Sequence, residues 1–454
     1  MITVLYYLGT ITLSMAFILL LPLLASVELN EYSIAPAFIL PMVACALLGI
    51  MLRKLGPRKE LDLRMAFIVS ALGWLLIALI GGIPYVIATR ASFLDAYFEA
   101  MSGFTTTGIS VFTPSLLPRS IIFWRSLTEW IGGMGIVVLF LAIFAPANVA
   151  AKLYVAEARS ERLEPSMART ARKIFYIYSY LTLAAILVLY LSGEGVFRAV
   201  NHALTAVSTG GFSLSDSGYV GASPIAKLVT MPFMIAGALS FALHQRVIRG
   251  EFRKFFSNIE VQVILAIVAV FTVLLYLQGI PAIDAAFTTV SALTTTGFSS
   301  IDIASLSDTT KYCLLFLILI GGGYGATAGG IKLIRFVIIL KATGWYVRRI
   351  TSPRRRVIPL KLQDKVLSEE EVLSTLLFAL LYILFIASGT FIFMLLGHDL
   401  MSSLFMISSA QSNDGLVVFT QYSSIEKVVM VFHMWLGRLE IIPVLTLFGA
   451  FRRK

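Results

Sequence analysis

The stretch SALTTTGFSS, residues 291–300, puts three threonines and a glycine directly after the apolar run VQVILAIVAVFTVLLYLQGIPAIDAAFTTV. This polar kink needs an explanation, because non-helical backbone at membrane depth is tolerated only where protein covers it or where it lines a water-filled cavity. If the apolar run is a membrane segment, the kink marks a place where polar backbone is required.

The kink belongs to a pattern, [ST]-[AG]-x-[ST]-x-x-G, that the chain contains four times. The copies are SGFTTTG at 102–108, TAVSTGG at 205–211, SALTTTG at 291–297 and SAQSNDG at 409–415. Each copy follows a short stretch of helical character and precedes a long apolar run. We interpret it as one element of an internal repeat, helix–pore helix–loop–helix, since a recurring unit decides the architecture of the whole chain.

The composition is that of a polytopic membrane protein. Of 454 residues, 58% are hydrophobic and 13% are charged, whereas an average soluble domain has about 25% charged residues. The mean hydropathy is +0.89. A membrane span needs roughly 20 mostly apolar residues. The first such run lacks a convincing small-residue cleavage site, so we expect a retained helix rather than a signal peptide.

The apolar runs predict ten spans, in five pairs that leave and return. They are residues 2–26, 33–53, 66–90, 120–145, 174–192, 224–243, 259–279, 311–341, 370–396 and 424–449. In each of the last four pairs a segment of roughly 30 residues, too short to cross the membrane twice, separates the two spans. We predict an all-α integral membrane protein with four pore repeats around one pseudo-fourfold axis, preceded by two N-terminal helices. The expected boundaries are 1–55 for the N-terminal pair and 56–150, 151–250, 251–345 and 346–454 for the repeats.

Lysine and arginine, which give a net charge of +11, concentrate in a few segments. These are 53–64, 244–254, 341–365 and the C-terminal FRRK. Nucleic-acid binding is one interpretation, but short cytoplasmic loops of membrane proteins accumulate these residues without any ligand. The rule therefore predicts no nucleic-acid partner and places both termini in the cytoplasm. The only cysteines, Cys45 and Cys313, are far apart in apolar segments and indicate neither a disulfide nor a metal site.

Four re-entrant loops that converge on one axis would line a pore, and in this way the polar backbone groups of the loops would be satisfied. Their carbonyl oxygens could replace the hydration shell of a cation. The closing glycine of each loop allows the positive φ that turns carbonyls inward, and the preceding short helices would point their negative C-terminal ends at the pore centre. Serine and threonine would add a ring of hydroxyls at the inner edge.

The segment GGGYGATAGG, residues 321–330, interrupts an apolar span. It contains a degenerate G-x-G-x-x-A, but a dinucleotide site needs a preceding strand, and Ile331 separates Gly330 from Lys332, which excludes a P-loop. Two interpretations remain from the residues alone. The segment is either a close-packing stripe of small residues between helices or a broken helix whose middle blocks the pore.

Charged residues inside the apolar runs are a further functional signal, because such charges are expensive and face a pore, a cavity or a partner. Arg438 lies near the middle of the last span, and Glu440 points to another helix face. Arg125 and Glu129, four residues apart, are expected to pair as a structural contact.

Four further stretches carry a family resemblance: SLTEWIGGMGIVVL at 126–139, STGGFS at 208–213, GGGYGATAGGIKLIR at 321–335 and GRLEIIPVL at 437–445. Together with the repeat they resemble the Trk/Ktr/HKT superfamily of potassium transporters over nearly the whole chain. The two leading spans are similar to the TrkH/TrkG branch.

The resemblance implies a multi-pass subunit of the cytoplasmic membrane for potassium uptake, not an enzyme. Potassium is then the transported ion, and no organic cofactor is expected in this chain. The filter residues matched to the family are Thr106, Thr107, Gly108, Thr209, Gly210, Gly211, Thr295, Thr296, Gly297, Asn413, Asp414 and Gly415. The matched gating residues are Gly321, Gly322, Gly323, Gly325, Gly329, Gly330, Lys332 and Arg438.

Family members are homodimers that bind a cytosolic ring of TrkA-type nucleotide-binding subunits, so the same partners are implied here, with segments 244–254 and 341–365 as candidate docking surfaces. Relatives with serine at the first filter glycine favour sodium, so Gly108 implies potassium. Asp414 departs from the usual apolar residue; it is either a hydrogen-bonded carboxylate behind the loop or a cation attractor at the outer mouth. The alternative function is a secondary transporter that couples cation uptake to sodium or protons.

Overall fold

The computed structural model describes residues 2–59, 61–135, 166–353, 358–363 and 365–452. Two N-terminal helices, α1 (Ile2–Glu28) and α2 (Ala35–Leu55), form an antiparallel hairpin. Their backbones approach closely at Gly9 and Gly49, where an added Cβ on Gly9 would lie 2.8 Å from the Gly49 carbonyl oxygen. Small residues allow this close contact between membrane helices.

Four repeats follow, each with an outgoing helix, a pore helix and a returning segment. The outgoing helices are α3 (Leu63–Thr89), α6 (Met167–Leu191), α11 (Ile259–Leu277) and α15 (Glu369–Leu395). The pore helices are α4 (Phe93–Phe104), α7 (Val196–Val207), α12 (Ala282–Leu293) and α16 (Leu400–Ser412). The returning segments are α5 (Arg119–Met134), α8 and α9 (Pro224–Ala238, Phe241–Ile248), α13 and α14 (Asp308–Ile320, Leu333–Thr351), and α17 and α18 (Ser424–Arg438, Ile442–Arg452). A 3₁₀ turn (Pro114–Leu116), the short helix α10 (Phe252–Phe256) and a hairpin of β1 (Lys361–Leu362) with antiparallel β2 (Lys365–Val366) complete the described chain.

Side-chain caps fix where many of these helices begin. Ser92 accepts a hydrogen bond from the Asp95 amide at the start of α4, and Asp399 accepts one from the Ser402 amide at the start of α16. Ser368 and Ser423 each form a complete capping box with a glutamate three residues later. Such caps satisfy amides that the helix itself leaves without a partner.

The four repeats close into a ring. Returning helix α5 packs against the pore helix of the second repeat, α8 against that of the third, α13 against that of the fourth, and α17 against that of the first. This cyclic order confirms the predicted four repeats around one pseudo-fourfold axis, with the N-terminal hairpin packed on α3 and α5.

Ten spans are expected, and the described returning segments are not unbroken helices. Among the described residues six helices are long and apolar enough to cross a membrane unbroken, and they are α1, α2 and the four outgoing helices. The second and fourth returning segments bend by 110° and 109°. In the first, α5 is capped by Gly135 (φ +85°), and in the third α13 is capped by Gly321 (φ +70°) before α14 begins. Residues 136–145 of the expected fourth span lie outside the described residues.

Candidate functional site

The four loops after the pore helices share one backbone geometry. In each, the second residue of the predicted filter triplet donates its amide to the carbonyl that opens the repeated pattern, at 2.8–2.9 Å: Thr107 to Ser102, Gly210 to Thr205, Thr296 to Ser291 and Asp414 to Ser409. The first residue of each triplet has positive φ: Thr106 (+56°), Thr209 (+53°), Thr295 (+48°) and Asn413 (+54°). Three threonines in the left-handed region are genuine outliers for a β-branched residue, and such strain concentrates at functional sites.

The filter glycines bring the four loops into contact around the axis. A Cβ on Gly108 would lie 2.1 Å from the Gly210 carbonyl oxygen, one on Gly211 2.0 Å from the Thr296 carbonyl oxygen, and one on Gly297 2.1 Å from the Gly415 amide nitrogen. A Cβ on Gly415 would lie 3.0 Å from the Thr107 carbonyl oxygen, which closes the ring. Gly108, Gly211 and Gly297 also need positive φ (+78°, +86°, +78°), whereas Gly415 is needed for the close approach alone.

Side chains of the predicted filter residues face the glycine-rich segment. The Thr209 hydroxyl lies 3.0 Å from the Thr327 hydroxyl, and the Gly329 amide donates to the Thr295 hydroxyl at 2.7 Å. Asn413 donates to the Thr107 hydroxyl at 3.1 Å and to a returning-helix carbonyl. The glycine-rich segment is therefore in direct contact with the inner edge of the ring.

The break between α13 and α14 is built by residues 321–332. Gly321, Gly325 and Gly330 have φ between +70° and +79°, and Lys332 has φ +82°. The Gly323 and Thr327 amides donate to the carbonyls at the end of α8, at 2.7 and 3.2 Å. The segment is irregular backbone whose polar groups are satisfied by the neighbouring repeat, which is the condition for such backbone at membrane depth.

Arg438, at the end of α17, reaches across the axis. Its Nη1 donates to the Thr327 carbonyl at 2.9 Å and lies 3.4 Å from the Thr106 hydroxyl. Its Nη2 donates to the carbonyls of Gly132 and Gly133 at the end of α5. A cavity of about 30 Å³ lies beside it, lined by Gly329, Gly330, Lys332, Asn413 and Glu440 among others. One cationic side chain thus connects the fourth, third and first repeats directly below the ring.

A much larger opening of about 880 Å³ lies on the other side of the ring. All four loops contribute to it, through Gly108, Gly211, Gly297 and Gly415 and the residues that follow them. Asp216 and Asp302 are part of its lining. We call this opening the vestibule.

The expected Arg125–Glu129 pair does not form. Arg125 Nε instead donates to Glu99 Oε1 at 2.8 Å, and both side chains are almost completely buried. Glu99 also accepts from the Val111 amide, and Arg125 donates to the Ser213 carbonyl, so the pair braces the loops of the first two repeats. Helical spacing could not reveal this partner, because Glu99 lies in a different helix.

Asp414 is buried, and its Oδ1 accepts from the Leu416 amide at 2.8 Å. Of the two interpretations of this residue, the geometry agrees with the hydrogen-bonded carboxylate behind the loop and contradicts the attractor at the outer mouth.

Sequence reasoning missed Glu99 and Glu260. Glu260 Oε1 accepts from the Tyr324 amide and so contacts the glycine-rich segment from α11. A carboxylate within an apolar stretch was the available signal for both residues.

The fold and this site define a membrane transport protein with four re-entrant pore repeats. The family described as "TrkH: Cation transport protein" matches residues 34–277 and 258–451, and the chain belongs to this family. Membership confirms the resemblance seen in the motifs and identifies the chain as a transport protein rather than an enzyme.

Individual relatives agree with this assignment. An uncharacterized cation transporter of Methanocaldococcus jannaschii is 38% identical over 455 residues, which covers 98% of this chain and 95% of the relative. The Trk system potassium uptake protein TrkH of Halomonas elongata is 32% identical and covers 87% of this chain and 88% of its own. The crystal structure of the potassium transporter TrkH from Vibrio parahaemolyticus superposes with a TM-score of 0.89 at 27% identity, and the match covers 100% of this chain and 99% of that one.

Proposed function

We propose that this protein takes up potassium ions through the ring of four re-entrant loops. The observation that carries the proposal is the closed contact between the four filter triplets, each with the same backbone bond and a strained first residue. A ring of backbone carbonyls can replace the water around a cation. Relatives whose names state potassium uptake, at 30–32% identity, support potassium as the ion.

The glycine-rich segment 321–332 and Arg438 are proposed as the gate. The segment lies against the inner threonines of the filter, and Arg438 holds it through the Thr327 carbonyl. A cationic side chain at this depth also opposes the passage of a cation. Opening therefore requires that the segment leave Arg438 and the filter.

The orientation follows from the basic segments. Lysine and arginine of segments 53–64, 244–254 and 341–365 favour the cytoplasmic side of the membrane, although residues 354–357 and 364 lie outside the described residues. The vestibule then faces the exterior, and both termini are cytoplasmic. We propose that the protein forms a homodimer and binds a cytosolic TrkA-type nucleotide-binding subunit. The proposed docking surface for this subunit is the exposed face of α9, α10 and the β-hairpin.

Reversal potentials of the purified protein in liposomes test the function. Under a potassium gradient a passive pore follows the potassium Nernst potential, and replacement of potassium by sodium on one side yields the permeability ratio. A reversal potential that shifts with a sodium or proton gradient at fixed potassium would instead indicate a coupled carrier. A ratio near one would contradict a potassium filter.

A further inference from the structure

Two buried carboxylates lie behind the ring, at the filter loops of the second and the fourth repeat. Glu129 Oε1 accepts from the amide of Phe212 at 2.9 Å, and Asp414 Oδ1 accepts from the amide of Leu416 at 2.8 Å. Both side chains have no measurable solvent exposure. Phe212 and Leu416 are equivalent residues, because each directly follows the last glycine of its filter triplet.

The two carboxylates reach equivalent amides from different parts of the chain. Asp414 belongs to the filter of its own repeat. In the second repeat that position is Gly210, and a Cβ built there would lie 2.4 Å from the carboxyl carbon of Glu129, which belongs to α5 of the first repeat. Glu129 therefore fills the space that a side chain at position 210 would occupy.

The first and third repeats have a different arrangement at the same position. Their second filter residues are Thr107 and Thr296, and each hydroxyl lies 2.7 Å from the hydroxyl of the threonine two residues earlier. The ring thus alternates between threonine pairs and carboxylates, and the two carboxylates support the loops of opposite repeats.

We propose that Glu129 and Asp414 are a pair of positioning residues for the filter. Each fixes the amide that follows a filter glycine and so holds that glycine's carbonyl in the orientation that contacts the ion. The remaining oxygen of each carboxylate has no hydrogen-bond partner within the described part of the chain. Each carboxylate therefore binds the filter loop through its hydrogen bond with one backbone amide. This inference rests on the proposed four-loop filter.

The structure offers a rescue experiment for Glu129. The variant Glu129→Gly removes the acceptor, and Glu129→Gly/Gly210→Asp returns a carboxylate in the arrangement of the fourth repeat. Gly210 is not among the glycines with positive φ, and the three atoms nearest to its added Cβ all belong to the Glu129 side chain. An aspartate is thus accommodated there once Glu129 is gone.

The readout is the potassium-to-sodium permeability ratio from bi-ionic reversal potentials in liposomes, which a loss of stability alone does not change. We expect Glu129→Gly to lower the ratio by about tenfold, equivalent to about 1.4 kcal/mol, and the double variant to restore it. Asp414→Ala should lower the ratio similarly, whereas Asp414→Asn, which keeps an acceptor oxygen, should retain it. Asp284→Asn, in a pore helix away from the filter, is the matched control.

Wild-type ratios in membrane-inserted Glu129→Gly and Asp414→Ala would overturn the inference, as would a folded double variant that fails to restore selectivity. If Glu129→Gly does not fold, the comparison of Asp414→Ala with Asp414→Asn decides the question for the fourth repeat. Gly108→Ser tests the filter assignment separately from the positioning role of the carboxylates. If it also leaves the ratio unchanged, the filter assignment itself fails; if it lowers the ratio while the carboxylate variants do not, only the positioning role fails.

Discussion

Arg438 of the fourth repeat donates through Nη1 to the carbonyl oxygen of Thr327 in the third repeat, at 2.9 Å. The other guanidinium nitrogen, Nη2, donates to two carbonyls at the end of α5 in the first repeat. Hydrogen bonds to charged groups contribute about 1.5–3 kcal/mol each. Arg438 therefore helps to hold the glycine-rich segment below the filter, together with the bonds from the Gly323 and Thr327 amides to the end of α8.

Arg438→Ala is expected to raise basal cation flux about ten- to a hundredfold, because loss of about 1.4 kcal/mol shifts a two-state equilibrium tenfold. Flux into liposomes without any partner subunit measures this effect. Lys254→Ala, an exposed change that removes a surface pair with Glu251, is the control and should leave flux unchanged. Wild-type flux in correctly inserted Arg438→Ala would argue against the gate.

Deletion of residues 323–328 is expected to raise flux as well, but with weaker ion discrimination than Arg438→Ala. The deletion removes Thr327, whose hydroxyl lies 3.0 Å from that of the filter residue Thr209. Because of this contact, the deletion also disturbs a residue of the proposed filter. Permeability ratios of the two variants, measured side by side, test the difference; equal ratios would contradict it.

Gly108→Ser is expected to lower the potassium-to-sodium permeability ratio. The residue has φ +78°, and an added Cβ would lie 2.1 Å from the Gly210 carbonyl oxygen, so the filter backbone must move. Gly193→Ser is a matched control, since it also has positive φ (+101°) but nothing within 4 Å of its added Cβ. It should cost about 1–3 kcal/mol of stability and leave the ratio unchanged. Equal permeability ratios for the two variants would contradict the proposed filter.

The repeated pattern predicted the pore helices and loops well, because its residues form hydrogen bonds and close contacts within the loops themselves. Ser102, Thr205, Ser291 and Ser409, which open the four copies, accept equivalent backbone bonds, and the closing glycines make equivalent contacts. Local chemistry of this kind is visible in sequence wherever the same loop must form.

The bends in the second and fourth returning segments were not predictable, since their causes are tertiary, whereas the glycines of 321–330 indicated the break in the third. At the first bend, between Ala238 and Phe241, the freed carbonyl of Ala238 accepts from the Gly323 amide of another repeat. At the second bend Glu440 and Ile441 adopt φ +53° and +70°, and Glu440 is paired with Arg335. Apolar composition alone does not indicate such breaks, because the two helices of each bent segment are, taken together, apolar.

The vestibule predicts a salt-dependent effect at Asp216 and none at Asp414. Asp216 lies in the vestibule lining, and hydrogen bonds from the hydroxyl and amide of Ser115 lower the pKa of its carboxyl. It therefore stays ionised as the pH falls to the ordinary aspartate pKa of about 4. Asp216→Asn should reduce conductance at about 0.01 M salt and have little effect at about 1 M, because the Debye length shortens from about 30 to 3 Å. Asp414→Asn should show no such dependence, and a salt-dependent loss there would return Asp414 to the outer mouth.

The buried pair of Arg125 and Glu99 predicts a stability effect that a double variant relieves. Arg125→Met leaves the Glu99 carboxylate, which has no measurable exposure, without its cation. Breaking a buried ion pair on one side costs about 3–5 kcal/mol, whereas replacement of both partners by uncharged residues is often neutral. Thermal unfolding in detergent should therefore show a large loss for Arg125→Met and partial recovery for Glu99→Gln/Arg125→Met, in which the introduced amide oxygen remains an acceptor for the Val111 amide. If the losses of Arg125→Met and Glu99→Gln, measured singly, simply add in the double variant, the two side chains do not act as a pair.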